Sequence, residues 1–225
     1  MYYNAILSPL VDGEKLSREE FLRRWDALPL LKRAELIEAV VYLPGPVTVI
    51  HASQHGLAHL WIAHYAVHTP GCESLLNPTW FLLDDAPQPD GCLRILPEYG
   101  GRSGLEGEYC AGPPELIVEV CYSSTAYDLG PKLRLYRKAG VQEYVTVQIK
   151  ERQVIWRRWV AGDYTNVEPD SRGLLRSVIF PGLWLDPAAL LDRNGQRILQ
   201  VLNEGLASPE HAEFVQQLHA RRQVG

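Results

Sequence analysis

The chain has 225 residues, 46% of them hydrophobic, enough to bury one full core and at the upper end of what a single domain holds. A formal net charge of -5 argues against a protein that coats nucleic acid nonspecifically, because that affinity is built from many Lys and Arg contacts to phosphates. The four cysteines, Cys72, Cys92, Cys110 and Cys121, form no CxxC pair and no regular spacing, so they read as reduced thiols of a cytoplasmic protein and not as a zinc ribbon or a disulfide framework.

Residues 1–16 read as an N-terminal arm. They hold no basic segment followed by an apolar run, and nowhere in the chain do eighteen apolar residues follow one another, so neither export nor membrane insertion is expected. Ser17 with Glu20 three positions later is a capping-box signal, and Phe21, Trp25 and Leu28 then share a helical face until Pro29. Residues 36–43 are rich in β-formers and end at Pro44-Gly45-Pro46, which predicts one or two short strands. From His51 to Tyr65, Leu57, Leu60, Trp61 and His64 recur at helical spacing, and Thr69-Pro70-Gly71 ends the helix.

Strands are expected over Trp80–Leu83 and Cys92–Leu96, followed by a polar, Gly-rich surface loop over 97–112 that suits a lid. Leu116–Val120 is the clearest buried strand, continuous in apolar residues apart from Glu119. A helix over Pro131–Ala139 closes at Gly140. Strands over 141–147 and 153–160 come next, then Phe180–Leu185 lying across the surface and a last helix from Ser208-Pro209. The alternation gives an α/β (α+β) class with a central mixed sheet flanked by helices, a main domain over 17–191 and a helical extension over 192–225 whose partner the sequence does not assign.

Glu119 carries the chemical argument. An ionised carboxylate inside an apolar strand costs several kcal/mol or more unless something pairs with it or coordinates it. It serves function, or its face is exposed, or an arginine neutralises it; the strand pattern alone does not choose. Lys132 lies in the first turn of the next helix, where the positive helix terminus favours acids over lysines. Strand, loop and helix form one unit, so that terminus returns towards Glu119; the alternative is a solvated lysine. Asp90 follows Pro89, which holds the chain extended at the start of a strand, although a Pro-Asp pair commonly marks a turn. Two carboxylates converging beside a lysine make an oxygen-rich site suited to Mg2+ or Mn2+.

A set of residues in fixed order carries a resemblance: Ala34-Glu35-Leu36-Ile37-Glu38, Gln54-His55, Pro89-Asp90, Pro114-Glu115-Leu116-Ile117-Val118-Glu119-Val120, Ser123-Ser124, Asp128 with Lys132, Tyr136, and Gly140-Val141-Gln142-Glu143-Tyr144. Together they resemble the Uma-two family of restriction-endonuclease-like proteins over roughly residues 17–185. The resemblance implies a PD-(D/E)XK nuclease fold and a metal-dependent endonuclease acting on DNA, with Asp90 and Glu119 as ligands of Mg2+ or Mn2+. It implies Glu35 as a further acidic contributor and Gln54 and His55 as substrate contacts. Cys121 stands where the usual motif has its lysine, and the resemblance places that role on Lys132. Ala39 stands where relatives commonly have Gly. Ser123, Ser124 and Asp128 are expected to shape the loop and cap the helix. Related restriction-type enzymes pair to cut both strands, so a homodimer belongs to the same expectation.

Three rival constellations remain beside it. His55 and His59 have the i, i+4 spacing of a zinc-binding helix, but Gly56 follows the first histidine where a glutamate base is needed, and no third ligand is evident. Lys150, Arg152, Arg157 and Arg158 interleave with Trp156 and Trp159 like a nucleic-acid surface, yet strand alternation splits them between two faces, as in an ordinary edge strand. The acidic charge and Cys121 are also consistent with a noncatalytic nucleic-acid- or protein-binding module on the same fold.

Overall fold

The computed structural model describes residues 8–31, 33–122 and 127–222. The first seven residues of the expected arm, and Ser123 and Ser124, lie outside them. The remainder of the arm is tied down: Leu10 is buried, Leu16 N donates to Ala39 O, and Gly13 N donates to Val41 O. Helix α1 (Arg18–Asp26) starts at the Ser17 cap, whose hydroxyl accepts from Glu20 N, while the Glu20 carboxylate turns to Arg23 and Arg24. Strands β1 (Glu35–Ile37) and β2 (Val40–Tyr42) form a hairpin. Helix α2 (Val49–Val67) is capped by Thr48 and leads to β3 (Cys72–Leu76), β4 (Trp80–Phe81) and β5 (Gly91–Ile95).

The stretch expected as a loop and lid is instead a short 3-10 turn, Pro97–Tyr99, and a hairpin of β6 (Gly104–Glu106) and β7 (Tyr109–Ala111). Gly107, at φ +63°, makes its turn, and β7 pairs in parallel with β4 through Trp80–Cys110 and Phe81–Ala111, burying Cys110 against the core. Composition had concealed three buried side chains, Tyr99, Ser103 and Cys110, that a lid does not need.

Strand β8 (Leu116–Cys121) is buried at every position. A widened π-type turn over Asp128–Lys132 runs into helix α3 (Leu133–Ala139), which Gly140 ends in the left-handed conformation. The turn therefore begins before Pro131, where the sequence had suggested the helix start. Pro131 has no N–H to give a regular α ladder, and the Tyr144 hydroxyl donates to Asp128 O at 2.9 Å. Strands β9 (Glu143–Gln148), β10 (Gln153–Val160) and β11 (Asp163–Asn166) complete a six-stranded sheet of order β11-β10-β9-β8-β5-β3. β8 and β9 are parallel, joined by the crossover through α3, and the other neighbours are antiparallel, which makes the sheet mixed. β10 lies between β9 and, from Arg157 to Val160, β11, and Trp156 is buried; the edge-strand reading is corrected for that half of the strand.

β12 (Leu175–Arg176) and β13 (Trp184–Leu185) pair before α4 (Pro187–Leu191), α5 (Gly195–Leu206) and α6 (Pro209–Arg222). These helices pack on the domain itself: Ile198 and Leu202 join Trp61, Tyr65, Val118 and Trp156 in the core between α2 and the sheet. His211 meets Thr69, and Arg222 reaches the Tyr99 hydroxyl. On the other face, Ile117, Tyr136 and Tyr144 pack with Trp80 and Leu135. Both faces of β8 are thereby covered, which is why its sequence reads as a continuous apolar run.

The β1–β2 turn places Glu38 at φ +52° and Ala39 at φ +61°, with Asp85 accepting from both of their backbone N–H groups. A side chain at a left-handed position costs roughly 1–2 kcal/mol that glycine avoids. Ala39→Gly is accordingly expected to raise the unfolding free energy by about 1 kcal/mol in a denaturant titration; a decrease would show that Asp85 does not hold the turn in this form.

Candidate active site

Glu119 sits on the face of β8 that looks towards α3, and three elements bring partners to it. Asp90 directly precedes β5, whose antiparallel register sets Gly91 opposite Val118 and so carries Asp90 to the level of Glu119. The contact is reciprocal: Val120 N donates to Asp90 Oδ2 at 2.8 Å, and Asp90 N lies 3.4 Å from Glu119 Oε2. Glu35 opens β1, and its Oε1 accepts from Gln88 N at 2.7 Å. Lys132 closes the π-type turn, with Nζ 2.9 Å from Glu119 Oε1, 3.0 Å from Glu35 Oε1 and 3.8 Å from Asp128 Oδ1. The Tyr136 hydroxyl donates to Glu119 Oε1 at 2.8 Å.

The cluster is almost sealed: Glu119 is 2% exposed, Lys132 3%, Asp128 3%, and Glu35 and Asp90 7% each. Burial pushes the Glu119 carboxyl well above the usual carboxylate range; Lys132 pulls it down, while Asp90, Asp128 and Glu35 push it further up. Burial alone would lower the Lys132 ammonium, but Glu119, Glu35 and Asp128 together hold its pKa well above the ordinary lysine range, so it is charged. Four carboxylates then face Lys132 and the Arg33 guanidinium, whose Nη2 is 4.0 Å from Asp90 Oδ1. Carboxyl groups outnumber cations there.

These groups form the floor of a cleft of about 360 Å³, walled by the chain from Tyr42 to Thr48 and by Tyr122 and Tyr127. Among the described residues, no three His, Cys, Asp or Glu side chains enclose an ion as they stand. The donor set nonetheless fits a hard divalent cation, because Mg2+ is usually held by one or two carboxylates and completes its shell with water and substrate phosphate oxygens. Glu119 Oε2, 3.4 Å from Asp90 N, and Asp90 Oδ1, 4.0 Å from Arg33 Nη2, are loosely engaged, and a carboxyl-rich cleft is of the sign such an ion offsets.

Of the residues singled out in the sequence, Asp90, Glu119, Lys132 and Glu35 come together. His55 is beside them but outside the cleft lining, its Nε2 2.8 Å from the Asp90 carbonyl oxygen. Gln54, expected as a substrate contact, is not brought in: it is buried and its amide donates to Leu190 O, joining α2 to α4. Asp128, expected to cap the helix, belongs to the cluster. Its membership was readable, since Asp128, Lys132 and Tyr136 are spaced four apart and the turn sets all three inward. Arg33 and His51 also line the cleft. Neither had a local signal; His51 was one of five histidines in one segment.

A mixed sheet in which an Asp just before one strand meets a Glu on the next, with a lysine returning to them from the turn that opens the following helix, is an α+β fold of the PD-(D/E)XK nuclease type. The chain belongs to the Uma2 family, described as "Putative restriction endonuclease", whose model matches residues 18–188. Among solved structures it is similar to a protein from Anabaena variabilis described as "a putative nuclease belonging to DUF820", with a TM-score of 0.57 and 17% identity, covering 78% of this chain and 99% of that one. At that identity the likeness concerns the fold. No curated protein matches the chain. Among the described residues, no helix is long and apolar enough to cross a membrane.

Removing Lys132 isolates its carboxylates. Lys132→Met is expected to cost about 3 kcal/mol of unfolding free energy near neutral pH. Because the folded-state pKa of Glu119 lies above its unfolded value of about 4.3, folding takes up a proton there, and stability falls as pH climbs from that value towards the raised one. Without Lys132 the Glu119 pKa rises further and the fall extends to higher pH, so the deficit measured in denaturant is expected to grow with pH. A deficit that shrinks with rising pH would contradict the assignment of charges.

Proposed function

We propose that the protein is a metal-dependent endonuclease that hydrolyses DNA phosphodiester bonds, with Asp90 and Glu119 holding Mg2+ or Mn2+. The observation that carries this reading is the contact of Lys132 Nζ with Glu119 Oε1 at 2.9 Å, on a strand whose neighbour delivers Asp90 to the same point. The acidic charge and the missing lysine of the usual motif were the arguments for a noncatalytic module. Lys132 supplies an ammonium beside Glu119 from the turn before α3, which weakens the second of them, and Cys121 at the usual lysine position is a buried thiol whose Sγ lies 3.9 Å from Glu119 O.

When bound, the cation supplies polarisation of the scissile phosphate and a lowered pKa for the attacking water. Lys132 lies within hydrogen-bond reach of Glu119 and is the group suited to orient that water or to meet charge developing on a phosphate oxygen. Glu35 and Tyr136 hold the lysine and the carboxylate in register, Glu35 through its bond to Gln88 N and Tyr136 through its phenol, which burial and nearby carboxylates keep protonated. Arg33 offers a cation at the cleft for a substrate phosphate. Four free thiols agree with a reducing, cytoplasmic setting, and pairing of two copies would serve cleavage of both strands. The zinc reading loses support, since His55 Nε2 is engaged with the Asp90 carbonyl and among the described residues no third ligand stands with His55 and His59.

The test is cleavage of supercoiled, linear and single-stranded DNA with Mg2+ or Mn2+. Glu119→Gln, Asp90→Asn and EDTA are each expected to lower the rate by about 100-fold or more, whereas Gln54→Leu is expected to act on stability and leave the rate of the folded enzyme within a few-fold. Cleavage by Glu119→Gln at the wild-type rate would refute the mechanism, and retention of DNA without cleavage by folded protein would favour the binding module.

A further inference from the structure

Two histidines of α2 approach Asp90, and they meet different parts of it. His55 Nε2 contacts the peptide carbonyl from outside the cleft. His51, one turn earlier, lines the cleft, and its Nε2 lies 2.7 Å from the Val120 carbonyl oxygen and 3.8 Å from Asp90 Oδ2. One imidazole nitrogen thus faces a carboxylate oxygen from the start of β5 and a peptide oxygen from β8, beside Glu119. Donor atoms at adjacent corners of an octahedral ion, with bonds of about 2.1 Å, are about 3 Å apart. The 3.8 Å from His51 Nε2 to Asp90 Oδ2 is within about 1 Å of that spacing, while the 2.7 Å contact with Val120 O is a hydrogen bond.

The ring is mounted for such a role. His51 is in the first turn of α2, its backbone N–H donates to the Thr48 capping hydroxyl at 3.3 Å, and its side chain is 17% exposed. A residue held there by a cap and by a strand carbonyl presents one ring edge to the cleft without a long flexible tether.

We propose that His51 is a nitrogen ligand of the catalytic cation, joining Asp90 and Glu119. The inference rests on the reading of the site as metal-dependent. As the ring stands, Nε2 donates its proton to the Val120 carbonyl; ligation uses the Nε2 lone pair, so the loaded protein carries the imidazole proton on Nδ1 with no net change in protonation. An imidazole donor in an otherwise all-oxygen site favours Mn2+ over Mg2+, because nitrogen ligands suit the transition ion better than the harder Mg2+.

The full-length protein loaded with Mn2+ and studied by pulsed electron paramagnetic resonance tests this directly, since a bound imidazole couples its 14N nucleus to the metal electrons. The expected result is 14N coupling in the wild type, lost in His51→Ala and His51→Gln and kept in His55→Gln, with Mn2+ affinity about tenfold weaker in the His51 variants and Mg2+ affinity less affected. Mn2+ bound without 14N coupling, or coupling that survives in folded His51 variants, overturns the proposal and leaves the metal-dependent reading intact. No Mn2+ binding by the wild type overturns both.

Discussion

Burial of Glu119 in a strand covered on both faces is the constraint on which the rest of the site depends. A carboxylate there is stable only with compensation, and Lys132 and Tyr136 both spend their polar atoms on its Oε1. The shape of the chain follows from that need. The π-type turn brings Asp128 and Lys132 inward together, and the β1–β2 hairpin leans over so that Glu35 meets the same ammonium. Four carboxyl groups face one lysine and one arginine there. That carboxyl-rich composition is what makes a divalent cation the proposed occupant.

Much of the fold was legible because the central elements follow simple rules. The apolar run of β8, the Ser17 cap and the helical spacing from Leu57 to His64 each reflect one periodicity or one turn chemistry. What the sequence obscured depended on contacts far along the chain. The β6–β7 hairpin looks like loop because its residues are polar and Gly-rich; only pairing with β4 and burial of Cys110 make it a sheet. The C-terminal helices could not be assigned a partner because their core contacts, Ile198 and Leu202 against α2, span about the whole domain.

The site divides in the same way. Asp90, Glu119, Lys132 and Glu35, which the fold brings together, were singled out through a lone carboxylate in an apolar strand, a lysine at the wrong end of a helix and a family resemblance. Asp128 was assigned to helix capping, although its spacing from Lys132 allowed an inward face; the π-type turn that decides the matter depends on Pro131 and a distant tyrosine hydroxyl. Gln54 and His55 were chosen by position in a motif, and geometry moves the cleft-facing role one turn earlier to His51. A helix turns by about 100° per residue, so sequence proximity to a functional position says little about which face is presented.

The central claim is that this buried cluster is built to accept a divalent cation. Thermal unfolding with increasing Mn2+ tests it most directly, because a ligand that binds only the folded state raises the melting temperature in a saturable way. The wild type is expected to gain several degrees, and Asp90→Asn and Glu119→Gln, each folded without metal, to gain little. An unchanged melting temperature in the wild type, or equal gains in all three proteins, would contradict the account.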